Sequence, residues 1–225
     1  MPIGFAIHDR PPVDPGLLEL LAGIPTPLVS DNMSRMAGAG PAIRPMHGPQ
    51  PMLGFALTVR TRPGDNLLIH KAIDLAQPGD VIVVDGGGDL SNALIGELMT
   101  TYANKRGIAG FVIDGAIRDL DVIAAGDLPV YAAGVTHRGP WKDGPGEINV
   151  PISLGGMVVS AGDLILGDAD GVLCVPFADV QAVLAAAREK SAAEEQTLQN
   201  IAAGTHDTSW IDAALRKIGC DPQPR

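Results

Sequence analysis

Cysteine is almost absent from this chain, with only Cys174 and Cys220 among its 225 residues. Two isolated cysteines do not make a disulfide framework or a cysteine-based zinc site. No apolar run approaches the ~18–20 residues that a membrane span needs. The opening residues also lack the basic region and the long apolar region of a signal peptide. We therefore expect a cytoplasmic protein with no membrane partner.

Basic residues are scarce as well: 16 Lys and Arg stand against 26 Asp and Glu, for a formal net charge of −10. Phosphate-backbone binding needs a concentrated basic surface, so we expect no nucleic-acid partner. A small anionic substrate is still compatible with this charge, because it needs only one or two well-placed cations. The five histidines form neither H-x-H nor H-E-x-x-H, and no serine lies in a G-x-S-x-G elbow.

The order of the apolar segments predicts an α/β fold. The predicted strands lie at residues 54–61, 81–85, 110–114 and 129–132. The predicted helices lie at residues 16–23, 30–37 (with Ser30 or Asp31 as N-cap), 65–76, 91–106 and 117–125. Strands and helices alternate from residue 54 onward, which is typical of parallel βαβ units.

The pattern changes after residue 145. Short strands separated by glycine-rich turns are predicted at 148–150, 157–160, 163–166 and 172–175, which favours an antiparallel layer packed on the first. A long Ala- and Glu-rich helix follows at 179–204. We therefore predict one domain over residues 1–225, with two sheet layers between outer helices (α-β-β-α).

A glycine loop, Gly86 to Asp89, follows the strand at 81–85. Such a loop between a strand and a helix can aim backbone N–H groups at an anion, although it fits neither a dinucleotide fingerprint nor a P-loop, and a simple turn explains it equally well. Gly96 lies inside the predicted helix at 91–106, where a glycine costs ~1 kcal/mol relative to Ala. We therefore expect a helix break or a fresh helix start there, with free amides facing a carboxylate.

The pair Arg118-Asp119 directly follows another predicted buried strand. Active sites of α/β sheets collect at the carboxyl ends of strands, so this pair is a candidate site. Asp119 is a candidate ligand of a hard cation, and Arg118 could neutralise an oxyanion. The alternative interpretation is a helix-start Asp beside a solvated Arg. His137, Arg138 and Lys142 could recognise further carboxylates, or could simply form a charged surface loop.

Several segments of the chain closely resemble the RraA-like family, and the resemblance extends over nearly the whole chain. The segments that carry it are PGDN (63–66), PGDVIVVDGGGD (78–89), ALIGELM (93–99), RGIAGFVIDGAIRD (106–119) and GDADGV (167–172). The resemblance implies a swivelling-domain type of α/β fold. The family holds class II pyruvate aldolases, which cleave 4-hydroxy-4-methyl-2-oxoglutarate and 4-carboxy-4-hydroxy-2-oxoadipate and decarboxylate oxaloacetate as a side activity. It also holds a non-catalytic inhibitor that binds ribonuclease E.

The aldolase resemblance implies how a pyruvate unit is bound. Arg118 would contact its carbonyl oxygen, and the backbone amides from Gly96 through Glu97 and Leu98 to Met99 would hold its carboxylate. Cleavage of a 4-hydroxy-2-oxo acid leaves a pyruvate enolate, whose charge needs a Lewis acid and a fixed cation. No side chain is an obvious base for the 4-hydroxyl proton, so a hydroxide held by the cation or by Arg118 is our interpretation.

The same resemblance implies a metal site shared between subunits. Asp119 would bind Mg²⁺ or Mn²⁺ directly, and Glu97 would hold a water of the cation, where the aldolases commonly have Asp. A Glu on the long C-terminal helix of a neighbouring subunit, Glu194 with Glu195 as the next choice, would hold further waters. We therefore expect a homo-oligomer, a trimer or a hexamer, in which that helix packs on the neighbour.

The alternative function is the non-catalytic regulator, which acts by protein–protein binding. The regulator's pattern has Gln after the Arg and lacks the long C-terminal helix, whereas this chain has Asp119 and the helix. Both differences favour the enzyme. Relatives named as methyltransferases suggest a third function, but the chain has no adenosyl-methionine loop pattern.

Overall fold

The computed structural model describes residues 4–221, and the alternation of strands and helices predicted from the sequence is present there. The strands are β1 (Phe5–Ile7), β2 (Arg44–Pro45), β3 (Met52–Thr61), β4 (Asp80–Ile95), β5 (Gly110–Ile117), β6 (Val130–Val135), β7 (Gly146–Ile148), β8 (Ile152–Leu154), β9 (Met157–Val159), β10 (Leu164–Asp168) and β11 (Gly171–Val175). The helices are α1 (Gly16–Leu21), α2 (Thr26–Asp31), α3 (Leu67–Leu75), α4 (Glu97–Lys105), α5 (Leu120–Ala125), α6 (Val180–Ala202) and α7 (Ser209–Lys217), with a 3₁₀ turn at Phe177–Asp179.

Four parallel strands form the centre of the main sheet, in the order β3-β4-β5-β6. The connections β3–α3–β4, β4–α4–β5 and β5–α5–β6 are the predicted βαβ units. On the far edge of β3, β10 pairs antiparallel with its first half and β7 with its second half. β11 extends the sheet beyond β10, β1 pairs with β7, and β2 pairs with β6. The hairpin β8–β9 is a separate two-stranded sheet.

The β-branched run in β4 is buried on both faces, which explains its composition. Ile82 and Val84 point to one face and pack with residues of α3, α4 and α5. Val81 and Val83 point to the other face and pack with residues of β8, β9, β10 and β11. The opposite faces of β10 and β11 contact α1, α2 and the start of α6. The predicted α-β-β-α layering is therefore confirmed.

The predicted helix at 30–37 is wrong. The observed helix α2 begins at Thr26 and ends at Asp31, so Ser30 and Asp31 lie in its last turn and neither is an N-cap. Asp168 fixes the start of this helix, because its carboxylate accepts hydrogen bonds from the Thr26 backbone N–H at 2.9 Å and from the Thr26 hydroxyl at 2.7 Å. That long-range contact is invisible to a local pattern.

The predicted helix at 91–106 is wrong over its first six residues. The strand β4 does not end at the glycines but runs on to Ile95, paired with β5 through a series of bulges. Gly87 and Gly88 have φ of 69° and 67°, which lets the strand bend without breaking. The helix α4 begins after Gly96, so the expected fresh start at this glycine is confirmed.

The C-terminal helix is confirmed as α6, and a further helix, α7, follows it where none was predicted. Contacts divide the chain into two compact units, one ending at Ala187 and the other beginning at Arg188. A single domain over residues 1–225 stays a prediction. Both cysteines are free, and no helix among residues 4–221 is long and apolar enough to cross a membrane.

Candidate functional site

The carboxyl ends of β4 and β5 lie side by side and place the candidate residues together. Ile95 and Ile117 are register partners, and the Arg118 backbone N–H donates to the Ile95 carbonyl at 3.0 Å. Gly96 and Arg118 are therefore the first residues beyond two adjacent strand ends. This is the position at which open α/β sheets bind ligands, and it is where the sequence predicted the site.

Asp119 has an uncommon backbone conformation, with φ 58° and ψ 41° in the left-handed region. It occupies the N-cap position of α5, but its side chain makes no capping hydrogen bond to that helix. Its Oδ2 atom instead accepts the backbone N–H of Glu97 at 2.9 Å and lies 3.5 Å from Nε of Arg118. Asp119 therefore lies at a helix start, as in the alternative interpretation, but its carboxylate contacts Glu97 and Arg118 and does not cap α5. Non-glycine residues in this region cluster at functional sites.

Gly96 has no room for a side chain. A Cβ atom there would lie 2.5 Å from Oδ2 of Asp119 and 2.8 Å from Cγ of Arg118. The glycine lets the start of α4 approach the carboxylate and the guanidinium closely. Its role is this close approach, since its φ of −162° is ordinary extended backbone.

The predicted carboxylate-binding site at the start of α4 has four backbone N–H groups. Two of them donate hydrogen bonds to other described residues, and two do not. The Glu97 N–H is bound by Asp119, and the Met99 N–H donates to the Gly96 carbonyl at 3.1 Å. The N–H groups of Gly96 and Leu98 have no hydrogen-bond partner among the described residues. These two amides, at the positive end of the helix dipole, are the ones that can bind an anion.

A cavity of about 220 Å³ adjoins these residues. It is lined by Asn66, His70, Ala93, Leu94, Ile95, Gly96, Leu98, Met99, Arg118, Pro140 and Lys142. The lining contains Arg, Lys and His side chains and no carboxylate, although the chain as a whole is acidic. Of the three loop residues that could recognise further carboxylates, Lys142 lines the cavity, whereas His137 and Arg138 do not. The cavity is therefore suited to an anionic ligand.

Two cavity residues, Asn66 and His70, were not predicted from the sequence. Asn66 is 2% exposed, and its Nδ2 donates to the Leu94 carbonyl at 2.9 Å and to Sδ of Met99 at 3.3 Å. Its Oδ1 is buried without a partner among the described residues, which marks a polar group available to a ligand. The only signal for Asn66 was its place in the PGDN segment.

The His70 side chain is at the wall of the same cavity. Burial, followed by the positive charge of Lys142, lowers the pKa of His70, and Asp74 opposes this shift. The imidazole is therefore neutral at neutral pH and can accept or donate a hydrogen bond without adding a full charge.

The glycine loop at 86–89 is not the predicted anion site. Its residues do not line the cavity, and they continue β4 without starting a helix. Two carboxylates, Asp85 and Asp114, lie beside it: burial, and then the charge of Asp85, raise the pKa of Asp114. An anion would be repelled there. The loop is neither the predicted anion site nor a simple turn before a helix, but a bulged part of β4.

The donor set at Asp119 fits a hard cation that keeps most of its water. Oδ1 of Asp119 has no hydrogen-bond partner among the described residues, and its side chain is 38% exposed. Mg²⁺ is usually bound through one or two carboxylates and several waters. Residues 4–221 contain no group of three or more His, Cys, Asp or Glu side chains arranged around a metal. The residues therefore fit Mg²⁺ or Mn²⁺ better than a fully protein-ligated zinc.

The two predicted Glu ligands lie in different parts of the chain. The Glu97 side chain is exposed in the first turn of α4, directly beside the Asp119 contact. Glu194 is exposed on α6 in the C-terminal unit. Its contribution to a neighbouring subunit's site stays a prediction.

One protein-family model and several relatives match this chain in sequence. The family model RraA-like, described as Aldolase/RraA, matches residues 26–174. A protein of Halalkalibacterium halodurans with the provisional name 4-hydroxy-4-methyl-2-oxoglutarate aldolase is 43% identical over 172 residues, which cover 76% of this chain and 82% of the relative.

Solved structures share the fold. The crystal structure of an uncharacterized protein from Pseudomonas syringae pv. tomato superposes with a TM-score of 0.77 and 26% identity, covering 86% of this chain and 96% of that one. The structure of the RNA-processing inhibitor RraA from Thermus thermophilis has a TM-score of 0.63 and 32% identity, covering 68% of this chain and 92% of that one.

Proposed function

The chain belongs to the RraA-like family, and on that premise we propose that it is a carbon–carbon lyase. The activity is that of an aldolase that releases pyruvate from 4-hydroxy-2-oxo acids with two or three carboxylates, with oxaloacetate decarboxylation as a side activity. The observation that carries the proposal is the hydrogen bond from the Glu97 amide to Oδ2 of Asp119. This bond holds the Asp119 carboxylate at the N-terminus of α4, and the Arg118 guanidinium lies 3.5 Å from the same oxygen. The three groups adjoin one cavity that is suited to an anion.

Arg118 supplies the fixed positive charge that this chemistry requires. In the aldol cleavage the C3–C4 bond breaks, its electron pair passes into a pyruvate enolate, and the 4-hydroxyl group loses its proton. In oxaloacetate decarboxylation the bond to the C4 carboxylate breaks, CO₂ leaves, and the same enolate forms. A guanidinium already in place stabilises the developing oxyanion without reorganisation. The two reactions can therefore share one site.

The substrate's carboxylate next to the 2-oxo group is assigned to the start of α4. The N–H groups of Gly96 and Leu98 have no partner among the described residues, and the helix dipole favours an anion there. With the carboxylate held by these amides, the adjacent carbonyl oxygen is placed toward Arg118. The described residues that line the cavity include no carboxylate to act as the base. A hydroxide held by Arg118 takes the hydroxyl proton and becomes water, which returns a proton to C3 of the enolate to give pyruvate.

We assign Mg²⁺ or Mn²⁺ to Oδ1 of Asp119, with Glu97 and a neighbouring subunit's Glu194 acting through water. The cation, when bound, supplies Lewis-acid stabilisation of the enolate charge. Asp119 is well placed for this because its Oδ2 is fixed by the Glu97 amide and its orientation is therefore set. Oxygen-only ligands suit hard cations.

A second candidate function is that of a non-catalytic regulator that binds a ribonuclease. Its support is the likeness to the RNA-processing inhibitor RraA from Thermus thermophilis. Asp119 and the 23-residue helix α6 favour the enzyme. Binding of a ribonuclease by a variant that has no lyase activity would separate the two functions.

The test is turnover of oxaloacetate, 4-hydroxy-4-methyl-2-oxoglutarate and 4-carboxy-4-hydroxy-2-oxoadipate by the purified chain, with pyruvate formation measured. We expect EDTA to abolish turnover and Mg²⁺ or Mn²⁺ to restore it. Activity that survives exhaustive chelation would point to a Schiff-base lysine instead. Lys71, Lys105 and Lys142 would then be the first to replace. A chain inactive on all three substrates with either cation would overturn the lyase proposal.

A further inference from the structure

A fully buried carboxylate lies just outside the cavity. The Asp65 side chain is 0% exposed, in the turn between β3 and α3. Its Oδ1 accepts the Leu67 N–H at 3.0 Å. Its Oδ2 accepts the backbone N–H groups of Asp143 at 2.7 Å and Gly144 at 2.8 Å, and it also pairs with Nη2 of Arg62 at 3.0 Å. Both oxygens are therefore fully committed.

These bonds hold one specific loop, residues 141–144, against the turn at 64–66. Besides the two bonds to Asp65, the Trp141 N–H donates to the Gly64 carbonyl at 2.8 Å, and the Asn66 N–H donates to the Trp141 carbonyl at 3.0 Å. The backbone is thus fixed on both sides of Lys142. A long, flexible side chain is carried on a backbone that cannot shift without breaking buried charged hydrogen bonds.

Lys142 is placed by this loop at the cavity wall with its charge available. Among residues 4–221, no carboxylate lies within ion-pair distance of its ammonium group. The two acids that contact or belong to this loop are engaged elsewhere: Asp65 with Arg62 and the loop amides, and Asp143 at 3.9 Å from Arg62. Arg118 and Lys142 therefore both line one cavity. Arg118 also pairs with Asp119 at 3.5 Å, whereas Lys142 has no acidic partner among the described residues.

We propose that Lys142 binds the second carboxylate of a 2-oxo dicarboxylic acid, and that Asp65 is the positioning residue that fixes Lys142 for this task. The proposal rests on the function proposed above, in which the start of α4 and Arg118 take the 2-oxo acid end of the same ligand. Asn66 lines the same cavity, and its buried Oδ1, which has no partner among the described residues, adds an acceptor for a hydroxyl of the ligand. Asp65 itself does not line the cavity and touches no substrate.

The test compares two probe ligands that differ by one carboxylate. Pyruvate and 2-oxoglutarate share the 2-oxo acid end, so the ratio of their dissociation constants isolates the subsite for the far carboxylate. Both constants are measured by calorimetry on the full chain with Mg²⁺ present. We expect wild type to favour 2-oxoglutarate by on the order of tenfold, as one hydrogen bond to a charged group provides.

Replacement of Lys142 tests the subsite directly. Lys142→Met keeps the length and loses the charge, so the preference should fall to about one while pyruvate binding changes less than about twofold. Lys142→Arg should restore most of the preference. A wild type without the preference, or a Lys142→Met variant that keeps it, would overturn the subsite.

Replacement of Asp65 separates positioning from mere stability. Asp65→Asn keeps only one acceptor oxygen and loses the charge, so one of the two sets of backbone N–H groups faces an N–H₂ group and the pairing with Arg62 is weakened. The preference should therefore fall by on the order of fivefold with pyruvate binding nearly unchanged. Asp143→Asn is the matched control: its side chain is 73% exposed, its backbone N–H remains, and its preference should equal that of wild type. A lower melting temperature with an unchanged preference would show that Asp65 is only structural and overturn the positioning role.

A second variant covers the case in which Asp65→Asn does not fold. Arg62→Met removes the partly exposed guanidinium that bonds Asp65, and we expect a smaller loss of preference, about threefold. An unchanged preference in Arg62→Met would count against the positioning role. Ligand binding can be measured without turnover, so the two proposals can fail separately. A chain that shows the Lys142-dependent preference but cleaves no substrate would contradict the lyase function and still support the subsite.

Discussion

Oδ2 of Asp119 lies 2.9 Å from the backbone nitrogen of Glu97 and accepts its N–H. This bond links the end of β5 to the start of α4, so two elements that are 22 residues apart in sequence share one anchor. Oδ2 thereby fixes the orientation of the carboxylate, and Oδ1 remains available for another partner. A carboxylate oriented in this way is pre-organised for a cation.

Asp119→Asn should abolish metal binding and turnover while the chain stays folded. The asparagine keeps the volume and can still accept the Glu97 N–H through its oxygen, but the negative charge is gone. The carboxylate is partly exposed at the mouth of a site, where ionised groups tend to reduce stability. Metal titration and turnover measure the effect, with the melting temperature as the control. Near-normal metal-dependent turnover would remove Asp119 as the ligand and strengthen the regulator function.

Arg118→Lys should separate metal binding from catalysis. The positive charge stays, but the planar fork is lost, so the enolate oxygen loses its oriented donors. Metal affinity should persist, and turnover should fall by ~100-fold or more, comparable to the loss of one oxyanion donor. The same titration and turnover assay applies. A variant with full turnover would show that Arg118 serves only to balance the charge of Asp119.

The layers and the site position follow from local sequence patterns. The run 81–84 is apolar at every position because both faces of β4 are covered, and this pattern alone marks a central strand. Strand β5 has the same signature, so the carboxyl ends of both strands, and with them Arg118, could be placed at one edge of the sheet from the sequence. Gly96 could not be placed at a strand end, because the strand was predicted to end at residue 85 and runs on to Ile95. The cost of a mid-helix glycine also located the start of α4 at Gly96.

Long-range contacts account for what the sequence did not predict. The start of α2 is set by Asp168, 142 residues away, and no local pattern encodes that bond. The persistence of β4 through its glycines depends on pairing with β5, which overrides the turn preference of glycine. Asn66 and Lys142 come to one cavity because Asp65, together with the backbone bonds of Trp141, joins two loops that are 78 residues apart. Their role is a property of tertiary structure.

Gly96→Ala should reduce turnover strongly. The added Cβ would lie 2.5 Å from Oδ2 of Asp119, a distance that real Cβ contacts essentially never show, so the carboxylate and the start of α4 must move apart. A displacement of about 1 Å can reduce turnover by on the order of 100-fold. Gly38→Ala is the control, because its nearest contact would be an ordinary 3.7 Å to the Val172 carbonyl. Equal activity of the two variants would contradict the crowding at Gly96.

The chain should form a trimer or a hexamer in which Glu194 completes a neighbour's site. Repetition of one heterologous interface around a ring produces such closed assemblies. Light scattering measures the mass of the assembly. Glu194→Gln should weaken Mg²⁺ binding and leave that mass unchanged. Glu195→Gln, one residue along the same helix, is the matched control and should behave as wild type. A stable monomer with full activity would contradict both the assembly and the role of Glu194.

Asp65 should make the stability of the fold depend on pH on the acidic side. Burial alone would raise the pKa of Asp65, but three backbone N–H groups and Arg62 together outweigh it and hold the pKa below its usual 3.8. Because the folded-state pKa is lower than that of the unfolded chain, this stabilisation is fully present above about pH 4 and is lost as the pH falls through the lowered value. In Asp65→Asn the contribution is absent at every pH.

The difference in the free energy of unfolding between wild type and Asp65→Asn, measured by denaturant titration, should therefore be constant from about pH 7 to pH 5 and shrink below about pH 4. In the control Asp143→Asn, where the replaced side chain is exposed, the free energy of unfolding should change with pH as it does in wild type. A difference for Asp65→Asn that stays constant down to about pH 2 would mean that the carboxylate is not held in its charged form by the loop amides.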